Sequence, residues 1–256
     1  MSRVLVEICV DSVASAMAAE RGGAARLELC SGLSQGGLTP STGLIAITRD
    51  AVSLPIHVLI RPRAGDFCYD LQEFQVMQRD IELAKQTGVQ GVVFGILDAD
   101  ANVDVARVRQ LVELSRPLSV TFHRAFDMAA DLFRALEDVC SIGVNRVLAS
   151  GGLSTAIAGW ETIAQLVKQS QGRTVIMAGS GIQPDNAQSL VQMTGVREIH
   201  ASLRTPSPSP MRYRNPRIAM GSTEADSCEY QRFMVREEDV RKLCQAVTNA
   251  AKSDGT

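Results

Sequence analysis

Two short stretches pair a glutamate with a cysteine two positions on: Val6-Glu7-Ile8-Cys9-Val10 and Leu27-Glu28-Leu29-Cys30-Ser31. In a strand, residues i and i+2 share a face, so each Glu points the same way as its Cys. A carboxylate within an apolar strand costs free energy unless it is paired or used, and two in matching positions suggest a site. Parallel neighbouring strands would set the two pairs side by side. Thiolates of Cys9 and Cys30 would then suit a soft monovalent metal, notably Cu(I), which accepts low coordination by sulfur. The competing explanation is that free cysteines are among the most buried residue types and behave as small hydrophobes. The usual four-ligand zinc spacing is absent.

Other polar groups fall where they could share that site. Arg61 and Arg63 follow a β-branched run and His123 ends another. With Glu7 or Glu28 as base, His123 as partner acid and Arg61 or Arg63 as clamp, they would form a proton-transfer site for a small anionic or phosphorylated metabolite, of lyase or isomerase type. Ala178-Gly179-Ser180-Gly181-Ile182 leads toward a helix start at Pro184, and small residues there expose backbone N–H groups suited to an anion. Gly179, Ser180 and Gly181 therefore join Arg63 as anion-binding candidates, although a tight turn alone would also explain the glycines. The stretch is not a G-x-G-x-x-G fingerprint, and no nicotinamide or flavin cofactor is expected. Glu7, Glu28, Arg61 and His123 could instead form a buried structural ion network, but such networks cost desolvation and rarely add stability.

Positioning these groups requires strands. Apolar or β-branched runs occur at 5–10, 26–30, 56–61, 91–97, 119–124, 146–150, 174–178 and 198–202. Helical patterns with recognisable ends lie between them. Ser12–Arg21 is alanine-rich and stops at Gly22-Gly23. Thr39-Pro40 reads as N-cap and first helical residue, Asp70 with Glu73 as a capping start, and Asp104 and Asp131 as further N-caps. Ser154 and Pro184 open two more helices, and a last one runs from about Glu237 to Ala251. Eight such units predict a closed (β/α)₈ TIM-type barrel, one domain over residues 1–256, with an open doubly wound sheet as the competing architecture. Because the helix-facing side of each strand should be apolar, Glu7, Cys9, Glu28, Cys30, His57, Arg61, Arg63, Thr121, His123, His200, Ser202 and Arg204 point inward. Most sit toward the C-terminal strand ends, where such barrels keep their active sites. Residues 204–236 break the rhythm with Pro206, Pro208, Pro210 and Pro216. A connection that long is functional or disordered, and its Arg, Met and Tyr residues suit a lid or an oligomer contact.

Composition narrows the partners. The net charge of −2 announces neither nucleic acid nor an anionic membrane. No apolar run approaches the roughly 20 residues of a membrane span, and the N-terminus enters a strand without a signal-peptide pattern. Six cysteines without a C-x-x-C spacing read as reduced thiols of a cytoplasmic protein.

The motifs, taken in order, resemble the copper homeostasis protein CutC family over nearly the whole chain: Glu-Ile-Cys-Val-Asp-Ser at 7–12, Leu-Glu-Leu-Cys-Ser-Gly at 27–32, Gly-Gly-Leu-Thr-Pro-Ser at 36–41, Ile-Arg-Pro-Arg-Ala-Gly-Asp-Phe at 60–67, Val-Thr-Phe-His-Arg-Ala-Phe-Asp-Met at 120–128, Ala-Gly-Ser-Gly-Ile at 178–182 and Met-Arg-Tyr-Arg-Asn at 211–215. The resemblance implies a cytosolic barrel protein with a role in copper handling, Cu(I) ligands matching Cys9 and Cys30, and a homo-oligomer. Ala25 and Ala64 stand where members often carry Asp and Gly, and Leu203-Arg204 replaces a smaller pair; none of these is a proposed ligand. Copper handling alone gives no evident use for Arg61, His123 and two glutamates. Two readings stay open: a Cu(I)-binding homeostasis protein, and a metal-independent enzyme acting on a small anion.

Overall fold

The structure is a computed structural model, described here for residues 4–215, 217 and 230–253. Eight parallel strands close into a barrel: β1 (Leu5–Val10), β2 (Arg26–Leu29), β3 (Ile56–Leu59), β4 (Gly91–Phe94), β5 (Ser119–Phe122), β6 (Arg146–Ala149), β7 (Val175–Gly179) and β8 (Glu198–Ala201). Each pairs with its sequence neighbour, and β8 closes onto β1. The helices α1 (Val13–Arg21), α2 (Thr42–Ala51), α3 (Leu71–Gln86), α4 (Val105–Ser115), α5 (Leu132–Ile142), α6 (Trp160–Ser170), α7 (Ala187–Thr194) and α8 (Glu237–Ser253) follow the strands in turn.

Local chemistry explains most helix starts. Ser12, Asp104 and Asp131 accept first-turn N–H groups, and Asp70 with Glu73 forms a reciprocal capping box. Three starts differ from the sequence expectation because another hydrogen bond competes. Ser41, not Thr39, caps α2, since the Thr39 hydroxyl instead accepts from the Arg61 N–H at 2.9 Å. α6 begins at Trp160, not near Ser154. The preceding turn is tied to the loop after β7, with Ser180 Oγ donating to the Ser154 carbonyl and the Ala156 N–H to that of Ser180. α7 starts beyond Pro184, at Ala187, because Asn186 Oδ1 accepts from the Gln183 N–H in a side-chain turn.

The expected irregular stretch contains ordered pairing. β9 (Arg204–Pro208) and β10 (Gln231–Val235) form an antiparallel ribbon, and the Val235 N–H donates to Ser15 Oγ of α1. The two prolines in β9 are tolerated because the ribbon has only two strands and each has a free edge. Pro216 and Met220 of that stretch lie outside the described residues.

Two apolar layers separate the interior from the helix packing. Ile8, Leu27, Leu29, Ile56, Val58 and Phe122 face outward into the main core, all fully buried. Each such side chain stabilises by about 1.5–3 kcal/mol when fully buried. Cys9, Cys30, Leu59 and Val93 form a separate cluster inside the barrel. The alternation read from sequence therefore places these faces correctly. The register, however, is staggered: Cys9 stands opposite Glu28, and Glu7 opposite Arg26. The two Glu-x-Cys pairs are offset by two residues instead of level, because the tilted strands of a closed barrel step along one another.

Candidate functional site

The barrel floor is an ion network. Arg26 donates through Nε to Glu7 and through Nη2 to Glu198 Oε2 at 2.6 Å, and Arg146 Nε reaches the same Glu198 oxygen at 2.6 Å. Burial alone would raise the Glu7 carboxyl, but the Arg26 guanidinium and His200 hold it well below the usual carboxylate range. His57, beside Glu28 in register, is buried and pushed down to about 4. The neutral imidazole is therefore the folded form at neutral pH.

Above the floor, β1, β2 and β8 bring sulfur, nitrogen and oxygen ligands together. Cys9 Sγ lies 3.5 Å from Cys30 Sγ, both thiols buried. Ligand atoms of Cys9, Glu28 and His200 lie within 4.8 Å of one another. His200 Nδ1 is 2.8 Å from Glu7 Oε1, and Nε2 is 3.9 Å from Glu28 Oε2. The ionised Glu7 accepts the Nδ1 proton, so Nε2 is the ring nitrogen left on the side of Cys9 and Glu28. This carboxylate-to-histidine arrangement is the one that orients metal-binding imidazoles. The hydrogen bond with Cys30, burial and the nearby Glu28 charge raise the Cys9 thiol well above its ordinary value. Burial, with Glu7 nearby, also raises Glu28. His200 is raised against its own burial by Glu28 and Glu7.

A metal 2.3 Å from each sulfur, a typical metal–thiolate distance, would subtend about 100° across the 3.5 Å gap. That angle is far from linear, so the thiols fit an ion taking a third ligand, for which His200 and Glu28 are in place.

The opposite wall is built by the loops after β3 and β5. Arg61 Nη1 donates to the carbonyls of Gln35 and Gly37, and Nη2 to that of Gly65. Phe67 lies over both Arg61, at 5.0 Å, and the His123 ring, at 4.9 Å. His123 Nδ1 accepts the Ala125 N–H, and burial together with Arg61 pushes the imidazole down to about 3. Cys9, Glu28, Arg61, Phe67, His123 and His200 all line one cavity of about 170 Å³.

The structure thus brings Glu28, Arg61, His123, Cys9 and Cys30 together at the mouth, with Glu7 one layer below. Arg63 stands apart on the rim, paired with Glu73 and with Asp66. Ser180 and Gly181 lie against Ser154 and Thr155, outside the set lining the mouth cavity. Gly179 abuts Leu148 and His200, leaving no room for a Cβ. Arg26 and Glu198 escaped the sequence reading. Arg26 was legible in the i, i+2 spacing with Glu28 and Cys30, whereas Glu198 opens its strand. His200 was placed inward but given no role until the register set it beside Glu7.

The CutC family pattern matches residues 4–205. The copper homeostasis protein cutC homolog of Mus musculus is 47% identical over 239 residues, covering 93% of this chain and 86% of that protein. A family protein CutC of Chromobacterium violaceum is 45% identical, covering 96% and 99%. The crystal structure of a CutC protein from Streptococcus agalactiae superposes with a TM-score of 0.74 at 30% identity, covering 77% of this chain and 97% of that one. Thiamine phosphate pyrophosphorylase of Pyrococcus furiosus shares the fold alone, at a TM-score of 0.59 and 14% identity over 96% of each chain.

Proposed function

Because the chain belongs to the copper homeostasis CutC family, we propose that it binds Cu(I) at the C-terminal mouth of the barrel through the thiolates of Cys9 and Cys30. The observation that carries this reading is the 3.5 Å separation of the two buried sulfurs, with His200 and Glu28 beside Cys9. Thiolate sulfur favours a soft ion, and the imidazole supplies the third ligand that the bent sulfur geometry calls for. Cu(I) is the cargo here; the chain's residues hold it, exclude water and release protons as it enters. Working thiols imply a reducing, cytoplasmic setting. The exposed Met211, Tyr213 and Phe233 on and beside the ribbon make that segment our candidate contact in a homo-oligomer.

The test is an anaerobic Cu(I) competition titration on wild type, Cys9→Ser, Cys30→Ser and Cys140→Ser. Cys140, on α5 and hydrogen-bonded to Thr174, serves as control. We expect affinity to fall at least about tenfold in the first two variants, a fraction of the roughly 10 kcal/mol scale of thiolate metal sites, and to be unchanged in the third. Affinity should also weaken as pH falls, since protons compete for sulfur and for His200. Equal affinity in all four proteins, or tighter binding of zinc than of Cu(I), would overturn the assignment.

A further inference from the structure

The wall facing the thiols has polar groups that no neighbour satisfies among the described residues. His123 and Arg61 are 5% and 6% exposed, yet within that set His123 Nε2 and Arg61 Nε have no hydrogen-bond partner. Because Nδ1 of His123 accepts from the Ala125 backbone, the ring proton sits on Nε2 and that atom is a donor. Arg61 directs its Nη groups to three backbone carbonyls, and no carboxylate pairs with it among the described residues. Two buried donors and a buried cation without a counter-charge are costly in isolation. Both line the same 170 Å³ cavity, with Phe67 packed against each of them in its wall.

We infer that this wall is a binding site for a small organic carboxylate, whose oxygens accept hydrogen bonds from His123 Nε2 and Arg61 Nε. The ligand supplies the missing negative charge and the two missing acceptors together. The cavity of about 170 Å³ suits a small acid of two or three carbons. A phosphate fits less well. Ser180 and Gly181, the natural backbone donors for one, are not among the cavity's lining residues, and a dianion would face Glu28. The site does not rest on copper binding, because its donors lie on β3 and β5 loops and the thiols on β1 and β2.

The probes are acetate and pyruvate, titrated into metal-free protein labelled with ¹⁵N-histidine. The chain has three histidines, so each side chain is resolvable. The expected result is a saturable shift of the His123 Nε2 signal, with a dissociation constant on the order of 1 mM. His57 on the barrel floor should stay fixed as internal reference. His123→Phe should weaken pyruvate binding about tenfold or more, the ratio expected for a lost hydrogen bond to a charged group. Cys140→Ser, a change on α5 outside the cavity lining, should leave pyruvate binding unchanged, and the metal-free protein separates failure here from failure of the copper site. The wild-type titration needs no variant to fold. An unmoved His123 signal under both probes, or tighter binding of inorganic phosphate than of either, would overturn the proposal.

Discussion

Arg26 illustrates how a single residue sets the polarity of the barrel floor. Its guanidinium lies between Glu7 and Glu198, and all three side chains are at most 8% exposed. Breaking such a buried arrangement by removing one partner leaves uncompensated charge, at a cost of about 3–5 kcal/mol. Arg26→Met is accordingly expected to destabilise by that amount in urea unfolding. Arg79→Ala, which removes an exposed partner of Glu82 (73% and 43% exposed), should change stability by less than about 0.5 kcal/mol. A loss below about 1 kcal/mol in Arg26→Met would mean that water reaches the floor and screens it. The same network reaches the mouth through Glu7, which fixes the His200 ring and so the position of its Nε2.

At the scale of elements, the strands hold the site by close packing as well as by hydrogen bonding. Gly91 begins β4 on the inner face, where a Cβ would lie 2.5–2.7 Å from three atoms of the His57 ring. The glycine leaves room for the imidazole of its register partner on β3, and any side chain would displace it. Gly91→Ala should therefore destabilise by about 1–3 kcal/mol, the range for overpacking a well-filled interior, and should move the His57 signals in NMR spectra. A stable variant with unmoved His57 signals would show that the floor has slack. The ribbon of β9 and β10 adds a different element. It extends past the barrel, and Arg204 lies across the Phe233 ring with Asp11 nearby. Arg204, expected inside, is thereby drawn off the barrel axis by the turn after β8.

For the whole molecule, buried titration sets the dependence of stability on pH. His57 and His123 are held neutral, at about 4 and about 3, against an ordinary value near 6.5. As pH falls below about 6.5 the unfolded chain binds protons that the folded chain refuses, so stability drops. For His57 alone the loss approaches about 3 kcal/mol by pH 4. Glu7 and Glu198, both held low, extend the loss below the ordinary carboxylate range. His200 and Glu28 are raised and act oppositely, their contributions fading as pH rises through their folded values. With His57 held at about 4 and His123 at about 3, the melting temperature should fall between pH 7.5 and pH 5, at the roughly 2–4 °C per kcal/mol typical of this size. A flat profile across that interval, measured by calorimetry, would show that the histidines are solvated.

Alternation and caps were legible in the sequence because they depend on neighbours two to four residues apart. The i, i+2 spacing alone sends Glu7, Cys9, Glu28 and Cys30 inward, and Asp70, Asp104 and Asp131 cap helices whatever packs beside them. Eight β-α repeats of this kind point to a barrel, since parallel strands need helical crossovers. The partners inside the barrel were not legible. Closure staggers the strands, and that stagger sets Cys9 beside Glu28 and Glu7 beside Arg26 and His200. Arg61 could be placed inward by phase, but only the folded loops bring it the carbonyls of residues 35, 37 and 65 and leave its Nε buried without a partner among the described residues. Side-chain period is a property of one strand, whereas register and loop contacts arise only when tilted strands close on one another.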